Sequence, residues 1–178
     1  MRALLAFFAA LHVGDSKLFL LINRRFRCDL LDTMMSRLTH LGGAFFSIFI
    51  CLTLIFLNFR TSRQPAIEAL AALTLSQILV QFLKRKIGRL RPYLAMEDIV
   101  VQKPLFDNSF PSGHTTAGYA LASIFSLNYP FLTFPLLGMA TIIGFSRTYL
   151  GFHYPLDVAV GAVLGGGTAF TVHHFVFI

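Results

Sequence analysis

The sequence predicts an all-α fold, a polytopic bundle of five to six membrane-spanning helices. Of its 178 residues, 56% are hydrophobic and only 13% are charged. The apolar residues form runs that approach the ~20 needed to cross a hydrocarbon core of ~30 Å. Because every backbone polar group must be paired in lipid, such runs are helices. We therefore expect one integral membrane domain over residues 1–178.

Five apolar runs are interpreted as spanning helices, separated by short polar connections. In chain order they are Leu38–Phe59, Pro65–Leu83, Ser112–Leu127, Phe131–Phe145 and Pro155–Ile178. The third and fourth runs are short, so their ends are expected to lie at the interface or against neighbouring helices.

The N-terminal segment, residues 1–37, allows two interpretations. Its apolar stretches are interrupted by His12, Asp15 and Lys17. Charges near the middle of a span are costly, so the segment forms either a first spanning helix or amphipathic helices in the interface.

The last run carries Gly161 and Gly165 one helical turn apart. Small residues at this spacing let another helix approach closely. We interpret the pair as tight packing within the chain rather than as a dimer contact, and the oligomeric state stays open.

Alternation of the helices places four helix ends on one face of the membrane. The second run ends at Lys84, the third begins at Ser112, the fourth ends at Ser146 and the fifth begins near His153. The unusual polar residues of the chain are therefore expected to share one layer.

His153 and Asp157 lie four residues apart, a spacing that puts both on one face of a helix. A carboxylate that accepts a hydrogen bond from one imidazole nitrogen leaves the other nitrogen available as a base or nucleophile. Alone, the pair is a weak signal, because Asp157 also suits a helix cap.

Pro111-Ser112-Gly113-His114 opens the third apolar run. Unpaired N–H groups at a helix start bind anions, and glycine permits close approach of a phosphate. His114 could then protonate a leaving oxygen. The alternative is an ordinary cap at Ser112 with an incidental histidine nearby.

Basic residues surround these two motifs, and the chain carries a net charge of +7. Lys84, Arg91 and Arg147 could neutralise three phosphoryl oxygens. The remaining cations of the cluster, Arg85, Lys86 and Arg89, are interpreted as a basic flank at the membrane interface.

Since the basic residues lie in short connections between apolar runs, the expected partners are lipid headgroups rather than nucleic acid. No metal-ligand pattern or nucleotide loop is present, so we expect no metal and no other cofactor.

Together the three clusters match K-x6-R-P, P-S-G-H and S-R-x5-H-x3-D in order and spacing, over residues 84–157. The chain thus resembles the type 2 phosphatidic acid phosphatase superfamily, in particular its small bacterial membrane-bound members. No signature residue departs from the family pattern.

The resemblance implies a role for each signature residue. His153 would attack phosphorus to form a phosphohistidine, Asp157 would orient it, and His114 would protonate the leaving group. Lys84, Arg91, Ser112, Gly113 and Arg147 would bind the phosphoryl oxygens. Water would then hydrolyse the intermediate without a metal.

The function implied is removal of a terminal phosphate from a lipid headgroup in the cell membrane. Phosphatidylglycerophosphate, undecaprenyl diphosphate and phosphatidic acid are the expected substrates. The alternatives are a lipid-to-lipid phosphotransferase and a non-catalytic phospholipid-binding protein. The expected site face carries more Lys and Arg than the opposite face, so the positive-inside rule alone favours a cytoplasmic site. The resemblance implies an extracytoplasmic one, which we expect because several of those cations would bind phosphate.

Overall fold

The computed structural model describes residues 12–57, 61–101 and 104–176. Within these ranges the secondary structure is helical and contains no strand, which confirms the all-α prediction. Helix α1 is described from residue 12 to 20 and continues as a π-helical turn, Leu21–Arg25. The other helices are α2 Asp29–Leu38, α3 Ala44–Phe56, α4 Arg63–Ile87, α5 Pro92–Ala95, α6 Gly113–Asn128, α7 Thr133–Tyr149 and α8 Pro155–Phe175. Short 3-10 turns, Thr39–Gly42 and Pro130–Leu132, precede α3 and α7.

Helix α6 is the centre of the bundle and packs against α4, α7 and α8. Small side chains make this close packing possible, because they let the helix backbones approach. The buried apolar cluster joins four helices and consists of Cys51, Ala69, Ala72, Ala120, Ile124, Ala169 and Val172.

The α6–α8 contact depends on the two glycines of the last run. A Cβ atom at Gly161 would lie 2.8 Å from the carbonyl oxygen of Ser112, and one at Gly165 would clash with the carbonyl of Thr116. The prediction of tight packing within the chain is therefore confirmed.

Three helical segments in the described ranges are long and apolar enough to cross a membrane: Arg63–Ala95, Pro130–Tyr149 and Pro155–Phe175. A fourth candidate is a bent pair, Asp29–Gly42 with Ala44–Phe56, which meets at 54°. Helix α6 has 16 residues, about 24 Å at ~1.5 Å per residue. Because its neighbours bury it, α6 needs neither the length nor the hydropathy of a lipid-facing helix.

The first predicted run, Leu38–Phe59, is not one helix. The chain breaks at Gly42 and Gly43, where Gly43 is extended with φ −72° and ψ 151°. A Cβ atom at Gly42 would lie 2.7 Å from the carbonyl oxygen of His114, so the chain passes close to the start of α6. The break between α2 and α3 therefore packs against the start of α6. Residues 58–60 lie outside the described ranges.

The described part of the N-terminal segment is tied to α7 and to the connection before α6 by a buried amide. The Nδ2 atom of Asn23 donates to the carbonyl of Tyr149 at 2.8 Å and to that of Val100 at 3.1 Å. Residues 1–11 lie outside the described ranges. Polar contacts of this kind hold α1 against the end of the bundle where the predicted site residues lie.

Candidate active site

A cavity of about 430 Å³ opens where α4 and α7 end and α6 and α8 begin. Six of the eight predicted site residues line it: Lys84, Arg91, Gly113, His114, Arg147 and His153. The other two, Ser112 and Asp157, are fully buried and bonded to each other through the Ser112 N–H and the Asp157 carbonyl, at 3.1 Å. The expected single layer of polar residues is therefore present.

The imidazole of His153 is almost completely buried. Its Nε2 atom lies 3.4 Å from Nη1 of Arg91. Its Nδ1 atom lies 3.6 Å from Oδ2 of Asp157, which is beyond hydrogen-bonding distance, and has no partner among the described residues. The pair is thus in place, but the expected hydrogen bond is not closed in this structure.

Burial lowers the pKa of His153 from 6.5 to about 3, and the positive charges of Arg147 and Arg91 act in the same direction, although Asp157 opposes them. At neutral pH the imidazole is therefore uncharged and keeps a lone pair on one nitrogen. A neutral imidazole is the form that can act as a nucleophile.

Asp157 is held by three donors. Its Oδ2 atom accepts from the Tyr154 N–H at 2.9 Å and from the Ser109 hydroxyl at 2.5 Å. Its Oδ1 atom accepts from Nη1 of Arg89 at 2.7 Å. The carboxylate thus caps α8 and adjoins His153 at the same time, so the two interpretations of this residue do not exclude each other.

Arg89 corrects the sequence-based interpretation, which placed it in an interfacial flank. Besides Asp157 it binds Oδ2 of Asp15 through Nη2, at 2.7 Å. Its guanidinium lies 3.8 Å from the centre of the Tyr154 ring. Asp15 also accepts from the Leu156 N–H at 2.8 Å. The missed residues Arg89 and Asp15 therefore connect α1 to the start of α8.

Lys84 and Arg91 share a carboxylate that the sequence did not single out. Oδ2 of Asp107 lies 2.5 Å from Nζ of Lys84, and Oδ1 lies 2.5 Å from Nη2 of Arg91. Burial alone would raise the pKa of Asp107, but the hydrogen bonds from both cations lower it from 3.8 to about 2. Asp107 thus stays ionised and presents two oxygens to the cations expected to bind phosphate.

The start of α6 has the features expected of an anion site. The Ser112 hydroxyl accepts from the Thr115 hydroxyl at 2.9 Å and caps the helix. Gln77 donates to the carbonyl of Gly113 at 3.1 Å, which ties the turn to α4. His114 follows in the first turn and lines the cavity. The N-terminal end of the helix dipole is oriented toward this cavity.

Arg147 is nearly as enclosed as Arg91, with 3% of its surface exposed against 1%. Nη1 donates to the Thr39 hydroxyl at 2.8 Å, and the guanidinium lies 4.3 Å from the centre of the Phe152 ring. Its buried Nε has no partner among the described residues. Arg147 therefore lines the cavity with one guanidinium donor unpaired in the described part of the chain.

The cavity's described acidic and imidazole side chains do not form a metal-ligand set. Within the described ranges no three His, Cys, Asp or Glu side chains lie together as ligands for a metal ion. The positive charge at the cavity comes from Lys84, Arg91 and Arg147.

The model of the PAP2 superfamily matches residues 65–178. An undecaprenyl-diphosphatase of Sulfolobus acidocaldarius is 29% identical over 157 residues, which cover 86% of this chain and 74% of that protein. The crystal structure of Aquifex aeolicus LpxE superimposes with a TM-score of 0.81 and 31% identity, covering 89% of this chain and 94% of the other.

A second solved structure extends the comparison. The first transmembrane PAP2-type phosphatidylglycerolphosphate phosphatase from Bacillus subtilis has a TM-score of 0.76 and 26% identity, covering 93% of this chain and 86% of that chain. The chain spans about half the length of other curated relatives that it matches, 52% in one case and 41% in another.

Proposed function

Because this chain belongs to the PAP2 superfamily, we propose that it is an integral membrane lipid phosphatase acting through a phosphohistidine. It removes a terminal phosphate from a lipid headgroup. One observation carries the proposal: the neutral His153 imidazole shares a cavity with three cations and with His114. A protein that only bound phosphate would need the cations but neither histidine.

The reaction has two steps. Nε2 of His153 forms a bond to phosphorus while the bond to the leaving oxygen breaks, and His114 supplies the proton that the leaving oxygen takes. Water then attacks the phosphohistidine and gives a proton back to His114. The N–P bond breaks, His153 keeps the electron pair, and inorganic phosphate leaves. Lys84, Arg91, Arg147 and the start of α6 neutralise the phosphoryl oxygens, so the mechanism requires no metal.

An apolar groove supports a lipid as the substrate. It has a volume of about 620 Å³, lies along α3 and α4, and shares Ile48, Leu73, Gln77 and Gln81 with the catalytic cavity. A hydrocarbon chain lying in this groove would enter the cavity from the side, with its phosphate among the cations.

The substrate candidates are undecaprenyl diphosphate, phosphatidylglycerophosphate and phosphatidic acid. The names of the S. acidocaldarius and B. subtilis relatives favour the first two. A lipid-to-lipid phosphotransferase remains the second candidate, because only the acceptor of the phosphoryl group would differ.

We place the chain in the cell membrane with five to six spans and with the site on the extracytoplasmic face. A single cysteine at Phe106, whose side chain is fully exposed, tests the orientation in a protein whose Cys28 and Cys51 are replaced by serine. An impermeant thiol reagent should label it in intact cells. Labelling only after the cells are opened would place the site in the cytoplasm.

Turnover on a panel of lipid phosphates in detergent tests the function itself, with excess chelator in a parallel series. Wild-type protein should release phosphate in both series and should trap acid-labile phosphate on the polypeptide. His153→Ala should do neither, whereas His174→Ala, an exposed histidine on α8, should behave as wild type. A His153→Ala protein with a tenth of wild-type activity would refute the nucleophile.

A further inference from the structure

A second chamber adjoins the catalytic cavity on the side of α2. It has a volume of about 550 Å³ and lies between the end of α2, the turn Thr39–Gly42 and the end of α7. Leu105, His114 and Arg147 line both spaces. The two spaces therefore adjoin each other at these three side chains.

The chamber is cationic. Arg37 and His40 line it in addition to Arg147, and no carboxylate is found among its described lining residues. Neither Arg37 nor His40 has a side-chain hydrogen bond or an ion pair in the described part of the chain, and both are exposed. By contrast, Lys84, Arg89 and Arg91 are all paired with carboxylates. Arg37 thus offers the chamber a positive charge that no acidic side chain in the described part of the chain pairs with.

In the proposed reaction, the acid His114 marks the side of the cavity on which the leaving oxygen departs. In a phosphoryl transfer the leaving oxygen departs on the side opposite the nucleophile. His153 lines the catalytic cavity but not the second chamber, whereas His114, the proposed acid, lines both. A group attached to the leaving oxygen therefore has access to Arg37 and His40.

We propose that Arg37 and His40 form an accessory subsite for a second phosphate of the substrate, carried on the leaving-group side. The inference rests on the proposed function and narrows its substrate class. The preferred lipids carry two phosphate groups, either as a diphosphate or separated by a short polar linker. A bound lipid monophosphate has no second phosphate to occupy the chamber.

A binding experiment tests the subsite without turnover. Inorganic phosphate and methylenediphosphonate, a diphosphate analogue that cannot be hydrolysed at its bridge, are titrated calorimetrically into the protein in detergent. Wild type should bind the diphosphonate about tenfold or more tightly than phosphate, as extra hydrogen bonds to charged groups allow. Arg37→Gln and His40→Gln should reduce this advantage and leave phosphate affinity unchanged. Arg25→Gln, an exposed arginine outside the chamber, is the matched control.

Two binding results would overturn the proposal: equal affinity of the two probes for wild type, or a diphosphonate advantage that survives both substitutions. Turnover then identifies the source of the second phosphate. Arg37→Gln should lower kcat/KM about tenfold for farnesyl diphosphate, for phosphatidylglycerophosphate or for both. Phosphatidic acid should be affected by less than about twofold, since it lacks the second group. An equal loss on all three lipids would refute the subsite, whereas no turnover of any lipid by wild type would refute only the proposed phosphatase.

Discussion

Arg89 and Asp157 form an ion pair at the start of α8, with 2.7 Å between Nη1 and Oδ1. Asp157 is completely buried, and the same guanidinium binds Asp15 of α1. The carboxylate next to the proposed nucleophile is thus held by a residue outside the family signature and, through it, by the N-terminal helix.

Replacing Arg89 tests whether this pair positions His153. Arg89→Gln leaves a buried carboxylate without its counter-charge and should lower kcat by about 10²-fold through misplacement of the imidazole, with little change in KM. Arg89→Lys keeps the charge and should recover part of the loss. Kinetics and thermal unfolding are measured together, with Lys86→Gln, in the last turn of α4, as the control. A rise in KM at unchanged kcat would indicate that Arg89 binds substrate instead.

Asp107 should compete with phosphate for Lys84 and Arg91. Its side chain is 55% exposed, so an incoming phosphate can displace it toward solvent. Asp107→Asn should therefore lower the inhibition constant of inorganic phosphate by about tenfold, because the displaced charge no longer competes. Asp98→Asn, in the same connection, should leave the constant unchanged. Weaker inhibition in Asp107→Asn would show that this carboxylate orients the cations rather than competes with the ligand.

The buried His153 should make stability depend on pH. In the unfolded chain it binds its proton near pH 6.5, whereas in the folded protein its pKa is about 3. The uncharged imidazole's contribution to the free energy of unfolding is complete above pH 6.5. It is lost as the pH falls toward 3, because only the unfolded state takes up the proton in that interval. The Tm of wild type should fall more steeply than that of His153→Asn between about pH 7 and about pH 5.

The control for this pH dependence is a histidine that is exposed in the folded protein. His174→Asn removes an exposed histidine and should leave the slope of wild type unchanged. Parallel slopes for wild type and His153→Asn would mean that the folded imidazole takes up its proton as readily as the unfolded one.

The role of His114 can be separated from that of His153 by the choice of leaving group. A lipid alkoxide needs a proton as it leaves, whereas p-nitrophenolate is already a stable anion. His114→Ala should therefore slow hydrolysis of a lipid monophosphate by the ~10²–10⁴-fold typical of acid–base catalysis and slow p-nitrophenyl phosphate much less. His153→Ala should slow both alike. Equal losses on both substrates in His114→Ala would assign this histidine to phosphate binding.

The helices could be predicted from the sequence because lipid demands long apolar runs. The boundaries of α4 and α6, Arg63–Ile87 and Gly113–Asn128, differ from the predicted runs by at most four residues. The apolar run continues through Gly42 and Gly43, so hydropathy alone did not predict the break there. The close approach of Gly42 to the carbonyl of His114 exists only in the folded chain. Similarly, the short length of α6 is tolerated because other helices surround it.

The same distinction between local pattern and tertiary contact applies to the candidate site. The residues that line the cavity follow a recognisable pattern of motif and spacing, and the structure brings them together. Arg89 and Asp107 were missed because their partners are set by tertiary contact: Asp15 is 74 residues from Arg89, and Asp107 is 23 from Lys84. No spacing rule along the chain relates such pairs. A carboxylate in a short connection next to a conspicuous basic cluster was the one signal available for Asp107.

The glycine contact between α6 and α8 links the proposed active site to the apolar interior of the bundle. His114, the proposed acid, is carried by α6, and His153, the proposed nucleophile, lies just before α8. A change in the separation of these helices at Gly161 would therefore move the two side chains relative to each other. One added methyl group there must shift the carbonyl of Ser112, and with it the first turn of α6. Natural variants that differ only in small hydrophobic residues of these two helices can therefore differ in catalytic speed, and a survey restricted to polar positions would class them as silent.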